Sequence, residues 1–143
     1  MGYIPPEALN RGRGVQISTD EQKKGDVYAF GVLMCFILSG ADPFADMTEG
    51  NIVVMVVAKH ERPAIPAIVD EDPQTPVFKE MIQRLWHHDL ACRSDFATIV
   101  EQLREHVADP KLRQSLPRKF MRTLPRLIAG GCLFVLVGSK LAG

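Results

Sequence analysis

Residues 27–38, VYAFGVLMCFIL, are apolar at nearly every position and are the clearest indication of the architecture. Asp26 precedes this segment and Gly40 follows it closely, and a carboxylate before a helix and a glycine after it suit the dipole and the left-handed cap. A helix that is apolar on all sides must be surrounded by other elements. Its 12 residues are too few to span a bilayer. We predict a buried central helix that begins near residue 27.

Further segments indicate a helical protein. Residues 77–86 are amphipathic, with apolar side chains three or four positions apart at Phe78, Met81, Ile82 and Leu85. Residues 96–107 repeat this pattern at Ile99, Val100, Leu103 and Val107. Residues 52–58 (IVVMVVA) are ambiguous, because β-branched residues favour strands. Pro6 fits the first turn of a short helix, and the polar residues 10–25 are predicted to form a loop.

The charges divide the chain into two parts. The 143 residues are enough for one domain, and the 17 basic and 17 acidic residues cancel, which argues against a nucleic-acid partner. Residues 1–110 nevertheless carry a net charge of −7, and residues 111–143 carry +7. We therefore predict a globular body over residues 1–108 and a basic tail over residues 109–143.

The end of the tail is apolar. Residues 127–138 (LIAGGCLFVLVG) are too short to cross a bilayer, but residues 124–143 form a 20-residue segment that is charged only near its ends. Basic residues flank the apolar stretch at Arg118, Lys119, Arg122, Arg126 and Lys140. Two alternatives follow: membrane association through residues 124–143, or a docked or disordered tail. The few, widely spaced cysteines and the lack of a secretory signal favour the cytoplasm.

Several motifs follow one another in an order that one family shares. Residues 2–9 read GYIPPEAL, residues 24–32 read KGDVYAFGV, and residues 38–44 read LSGADPF. They resemble the G-Y-x-A-P-E-x-L, K-S-D-V-Y-S-F-G-V and L-T-G-x-x-P-F motifs of eukaryotic protein kinases, of the tyrosine-kinase-like or receptor-like serine/threonine type. Pro5 replaces the usual alanine of the first motif. The resemblance implies a mainly α fold, the lower part of a kinase C-lobe from the end of the activation segment onward.

A fourth block extends the resemblance. Its members are Trp86, Asp89, Arg93 and Phe96, which have the spacing of W-x-x-D-P-x-x-R-P-x-F, although Leu90 and Ser94 replace the prolines. The resemblance implies that Arg93 forms an ion pair with Glu7 and that Asp26 accepts hydrogen bonds from the catalytic loop. Trp86 is expected to pack in the core. By residue type alone, Glu7 and Arg93 could equally be solvated surface charges.

The resemblance also assigns the first residues. Gly2, Tyr3 and Pro5 would form the edge of the substrate-binding loop. Tyr3 occupies a position where serine/threonine kinases carry tyrosine and tyrosine kinases commonly carry tryptophan, which implies a serine/threonine parent activity. The linker motif around Arg62-Pro63 also matches, and the resemblance favours a helix for residues 52–58.

The chain contains none of the family's catalytic motifs. Kinases need a glycine-rich loop, a phosphate-binding lysine, a catalytic base and metal-binding groups. The sequence has no G-x-G-x-x-G, no H-R-D and no D-F-G. We therefore predict no catalytic, cofactor-binding or metal-binding residue in this chain, with ATP and magnesium used only by the intact family. The adjacent His87 and His88 are predicted to point in different directions and not to share a metal.

Three interpretations of function remain. The chain is a fragment of an ATP-dependent serine/threonine kinase that is inactive alone, or it is a non-catalytic, pseudokinase-like protein-binding module that uses residues 51–59 as a docking surface. Anchoring to a membrane through the tail is compatible with both interpretations. The partner is predicted to be a protein substrate or a docking protein.

Overall fold

The computed structural model of the chain describes residues 2–11, 16–65 and 76–110. These residues divide into two compact units, one that ends at Asp95 and one that begins at Phe96. All regular secondary structure within the described ranges is helical. The predicted mainly α fold is therefore confirmed.

The helices follow the chain in a simple order. They are α1 Pro6–Leu9, α2 Thr19–Ser39, α3 Glu49–Val53, α4 Pro76–Leu85 and α5 Phe96–Ala108. A π-helical turn, Val54–Ala58, continues α3, and a 3₁₀ turn, Leu90–Cys92, lies between α4 and α5. The helical interpretation of residues 52–58 is therefore confirmed, which shows that packing overrides the strand propensity of β-branched residues.

Helix α2 begins earlier than predicted. The prediction of a loop through residue 25 is wrong, because Ser18 caps a helix that starts at Thr19. The Ser18 hydroxyl accepts a hydrogen bond from the Glu21 amide, and the Glu21 carboxylate accepts one from the Ser18 amide. This capping box satisfies two backbone donors and stabilises polar turns that bury little surface. At the other end, Gly40 adopts φ 74° and donates its amide to the Phe36 carbonyl.

The predicted central helix is the core of the first unit. Side chains of α2 between residues 27 and 38 are buried on several faces, as an all-apolar segment requires. At Gly31 a Cβ atom would lie 3.0 Å from Leu85 Cβ, so glycine lets α2 approach α4 closely. Cys35 is a buried small hydrophobe of this core, and burial raises the pKa of its thiol to about 12.

The second unit is described through α5. Ile99 and Leu103 are buried, as the amphipathic pattern of residues 96–107 predicts. The apolar tail segments 127–138 and 124–143 lie outside the described residues.

Candidate functional site

A short turn places Arg93 in the interior. Asp89 caps this 3₁₀ turn, because its carboxylate accepts a hydrogen bond from the Ala91 amide at 2.9 Å. Arg93 follows the turn in extended conformation, and only 2% of its surface is exposed. An arginine buried this deeply needs acceptors for most of its five N–H groups.

Glu7 supplies the charged acceptor. Arg93 Nη1 donates to Glu7 Oε1 at 2.8 Å, and Nη2 donates to Oε2 at 2.9 Å. The two parallel hydrogen bonds form a bidentate pair, which is the arrangement in which a guanidinium holds a carboxylate most firmly. The structure thus joins the first helix of the chain to a turn 86 residues later.

Backbone carbonyls supply the remaining acceptors. Arg93 Nε donates to the His87 carbonyl at 2.8 Å, and Nη1 also donates to the Lys24 carbonyl at 2.9 Å. In return, the Lys24 ammonium donates to the Arg93 carbonyl. Arg93 therefore connects α1, the polar turns of α2 and the loop after α4 in a single hydrogen-bonded joint.

The Tyr28 ring packs against the guanidinium groups of Arg93 and Arg62. The Tyr28 side chain is fully buried, and the guanidinium carbon atoms of Arg93 and Arg62 lie 5.3 Å and 5.4 Å from its ring centroid. Both distances lie within the range of cation–π attraction. Burial raises the pKa of the Tyr28 hydroxyl, and the positive charges of Arg62 and Arg93 partly oppose this shift.

Arg62, which the sequence predicted only as part of a linker motif, is the second arginine beside Tyr28. Its Nε donates to the Trp86 carbonyl at 2.8 Å, and its Nη1 donates to the carbonyls of Glu61 and Val56 at 2.8 and 3.3 Å. Arg62 thereby ties the segment after the π-helical turn to the end of α4. The only sequence signal was the Arg62-Pro63 pair of the linker, which gives no information about backbone acceptors.

The first residues pack directly against this scaffold. A Cβ atom at Gly2 would lie 2.1 Å from Phe44 Cδ2, so only glycine fits beneath the buried Phe44 ring. The Pro5 ring lies close to Gly25, where a Cβ atom would be 3.2 Å from Pro5 Cγ. Tyr3 remains 36% exposed, and partial burial, followed by the charge of Asp42, raises the pKa of its hydroxyl.

Comparison with known proteins identifies the scaffold. The family described as protein tyrosine and serine/threonine kinase matches residues 1–103 of the 143. This chain belongs to the protein kinase family. The predicted resemblance to part of a kinase domain is therefore confirmed.

Individual relatives are named as serine/threonine or mixed-specificity kinases. Serine/threonine-protein kinase STY46 of Arabidopsis thaliana is 39% identical over 82 residues, which are 57% of this chain and 13% of the relative. Serine/threonine/tyrosine-protein kinase HT1 of the same plant is 32% identical over 95 residues, 66% of this chain and 23% of the relative. Serine/threonine-protein kinase mos of Patiria pectinifera is 29% identical over 122 residues, 85% of this chain and 31% of the relative. The chain thus spans less than a third of each of these three kinases, and no solved structure matches it significantly.

Asp26 and Trp86 are two further residues of the predicted kinase scaffold. Asp26 is half-buried inside α2, not at its start as predicted, and burial raises the pKa of its carboxyl. Such a shift is typical of a carboxylate whose ionised form is poorly compensated. Trp86 is buried in the core, and its carbonyl accepts the Arg62 hydrogen bond.

The two adjacent histidines point to different partners. Nδ1 of His87 accepts a hydrogen bond from the Asp89 amide at 3.1 Å, whereas His88 stacks on His60 with ring centroids 3.6 Å apart. Within residues 2–11, 16–65 and 76–110, no group of three or more metal-binding side chains occurs. None of the helices in these ranges combines the length and apolar character that crossing a bilayer requires.

Proposed function

We propose that this chain forms the substrate-side part of the C-lobe of a serine/threonine protein kinase. The buried, bidentate pair between Arg93 and Glu7 carries the proposal. It fixes α1 to the body, and α1 directly follows Gly2, Tyr3 and Pro5, the predicted edge of the substrate-binding loop. In this role, Glu7 and Arg93 position the loop and do not take part in phosphoryl transfer. Serine and threonine hydroxyls are the proposed sites of phosphorylation, which the names of the serine/threonine-kinase relatives support.

A chimera tests the positioning role. We would replace the matching segment of the STY46 kinase with residues 2–103 of this chain and measure phosphorylation of serine and threonine in a protein substrate. We expect the chimera to retain activity and its Arg93→Ala variant to lose most of it, because α1 is released from the body. A folded chimera whose activity is unchanged by Arg93→Ala would contradict the proposal.

We propose further that the chain alone neither binds ATP with magnesium nor transfers phosphate. The glycine-rich loop, the H-R-D motif and the D-F-G motif that supply these functions in kinases do not occur in its sequence. Asp26 would bind the catalytic loop of an intact kinase, and its half-buried carboxyl supports that role. Calorimetric titration with ATP and magnesium is expected to give no binding heat, and micromolar affinity would contradict this prediction.

A second candidate function is a non-catalytic protein-binding module that uses residues 51–59. The observation in its favour is Val54, which is 50% exposed at the start of the π-helical turn although it is a large apolar residue. In the chimera, we expect Val54→Glu to raise the KM for a protein substrate and to leave the KM for a short peptide unchanged. Val54→Thr is the matched control, because it preserves the shape and most of the apolar contact. An equal change of both KM values would argue against docking.

We also propose that the chain consists of a globular body over residues 1–108 and a tail over residues 109–143, and that it is located in the cytoplasm. Membrane association would use the apolar residues 124–143 and the basic residues before them. Sedimentation of the full chain with anionic vesicles tests it. We expect binding that is lost when Leu133, Phe134 and Leu136 are replaced by serine, and a chain that never sediments with the vesicles would refute it.

A further inference from the structure

Two histidines from distant parts of the chain form a stacked pair. The rings of His60 and His88 have centroids 3.6 Å apart and an interplanar angle of 20°. Both side chains are exposed at the surface, so protons reach them freely. Two neutral imidazoles stack favourably in this way, but two protonated rings would bring like charges together.

His60 holds an unusual backbone position. Its φ angle is 56°, in the left-handed region that residues other than glycine rarely adopt and that histidine tolerates better than most. It lies two residues after the end of the π-helical turn at Ala58, and Arg62 anchors the chain two residues later. His88 lies in the loop after α4, between the Arg62 acceptor Trp86 and the Arg93 turn. The stacking contact therefore connects the end of the π-helical segment to the loop after α4.

The charges that face His88 are mainly positive. Burial lowers the pKa of His88, and the positive charges of His60, Arg62 and Arg93 lower it further, while Glu7 acts in the opposite direction. Lys59 and Glu61 flank His60 in sequence and carry opposite charges, and Asp89 follows His88. The folded surroundings thus favour the neutral form of His88.

We propose that the His60–His88 pair is an acid-sensitive latch that holds residues 59–61, just after the π-helical turn, against the loop after α4. At neutral pH the stacked, uncharged rings keep the segment closed. When both rings take up protons, their repulsion opposes the stack, and the left-handed backbone at His60 is released. Residues 59–61 then open locally, while the Val56 side chain stays buried, Arg62 keeps its hydrogen bonds and the joint around Arg93 stays formed.

The direction of the pH effect follows from proton linkage. A histidine whose pKa is lower in the folded state than in the unfolded state binds fewer protons when folded. The closed state is therefore stable above the ordinary histidine pKa of 6.5 and loses stability as the pH falls below it. Aspartates and glutamates of ordinary pKa stay ionised down to about pH 5, so histidine protonation dominates this range.

Amide hydrogen exchange on the full chain tests the latch. The reporters are the amides of Lys59 and Glu61, which donate to the carbonyls of Val54 and Met55 at 3.0 and 2.9 Å. From pH 7.5 to pH 5.5 we expect their protection factors to fall about five- to tenfold, as two unit charges at this ring separation imply in a water-like dielectric. The amide of Gly40, which donates to Phe36, is the internal reference and should keep its protection factor.

Three variants separate the latch from other causes. His60→Asn tolerates the left-handed backbone and His88→Gln keeps a planar polar group, and each should abolish the pH dependence at Lys59 and Glu61. His87→Gln removes one histidine next to the pair without touching the stack, so it should keep the wild-type pH dependence. The proposal is overturned if the wild-type protection factors do not change with pH, or if His60→Asn and His88→Gln respond to pH as the wild type does.

Discussion

Two arginine–glutamate pairs in this chain have the same chemistry and opposite surroundings. Arg93 and Glu7 meet in the interior, where their side chains are 0% and 15% exposed. Arg11 and Glu21 meet at the surface, where the corresponding values are 25% and 34%. The first pair joins segments 86 residues apart, whereas the second joins segments separated by 10.

On physical grounds, burial rather than charge should determine how much each pair contributes to stability. A buried guanidinium that loses its carboxylate stays desolvated and uncompensated, which is costly. A surface arginine that loses its glutamate is hydrated by water instead, and exposed pairs contribute little. We therefore expect the two pairs to respond very differently to the same substitution, to salt and to acid.

Arg93→Ala should destabilise the protein more than any other substitution considered. Because Glu7 would keep its charge without a partner, and because the carbonyls of Lys24 and His87 would lose donors, we expect a loss of about 3–5 kcal/mol in the free energy of unfolding. Urea denaturation monitored by circular dichroism measures it. A total stability of about 5–15 kcal/mol is usual for a domain, so a variant that is largely unfolded at 25 °C is measured at lower temperature.

The double variant Glu7→Ala/Arg93→Ala provides the control for pairing. It should be more stable than the sum of the two single losses predicts, because it removes both charges together. The matching cycle at Arg11 and Glu21 should give near-additive losses. If the double variant at Glu7 and Arg93 were also additive, the buried pair would not be coupled, and the contrast between the two regions would fail.

An intermediate effect is expected at Arg62, a half-buried arginine whose described hydrogen-bond acceptors are carbonyls. Arg62→Met keeps an unbranched, flexible side chain but leaves the carbonyls of Trp86 and Val56 without their donor. We expect a loss of about 1–3 kcal/mol, smaller than at Arg93 because no buried carboxylate is left unpaired. Arg62→Lys should recover only part of this loss, since one ammonium cannot reproduce the planar donor geometry. A loss equal to that of Arg93→Ala would show that the carboxylate is not what distinguishes the two arginines.

The sequence predicted the parts of the fold that burial determines. The predictions of a buried helix at residues 27–38 and of amphipathic helices at α4 and α5 were correct. The apolar pattern of a sequence indicates directly which side chains are removed from water. The polar turns from Thr19 to Asp26 were missed, because a local cap holds them and they carry no apolar stripe. Their signal was nevertheless present in the Ser18-x-x-Glu21 spacing of a capping box.

The candidate site was predictable only in part. Residue patterns alone could not pair Glu7 with Arg93 across 86 positions, and only the family resemblance suggested this contact. The contacts of Arg62 could not be predicted, because every residue carries a backbone carbonyl and the sequence does not show which of them accept hydrogen bonds from an arginine. The left-handed His60 and its stacking on His88 were likewise invisible, since histidine adopts this conformation without a sequence signature.

A smaller effect is expected at the cap of α2. Ser18→Ala removes the acceptor of the Glu21 amide, and the loss of a serine cap costs about 1 kcal/mol. Thr19→Ala is the matched control, because it changes a neighbouring exposed hydroxyl that is not the cap. Urea denaturation of both variants measures the difference. If Ser18→Ala and Thr19→Ala were equally stable, the polar turns of α2 would owe their structure to something other than the capping box.

The smallest expected effect on stability is that of the surface pair, Arg11 and Glu21. It appears as a change in the free energy of unfolding with pH and with salt concentration. The hydrogen bond from Arg11 lowers the pKa of Glu21 to about 2 from an ordinary 4.5, with the Ser18 amide contributing next. Between pH 4.5 and about 2 the unfolded state binds more protons than the folded state. The contribution of ionised Glu21 to the free energy of unfolding is therefore present above pH 4.5 and is lost as the pH falls towards 2. Titration of Glu21 followed by carboxyl NMR, together with unfolding of wild type and Glu21→Gln from pH 6 to pH 3, measures it.

Salt distinguishes the two pairs most directly. At about 1 M NaCl the screening length is about 3 Å, so the partly exposed Arg11 and Glu21 should lose most of their mutual attraction. The pKa of Glu21 should then move back towards its ordinary value. The coupling between Arg93 and Glu7 should persist, because ions do not reach a guanidinium that is enclosed by protein. Equal salt sensitivity of the two couplings would mean that water and ions reach the pair of Arg93 and Glu7. Burial would then not explain why this pair is expected to stabilise the fold more than the pair of Arg11 and Glu21.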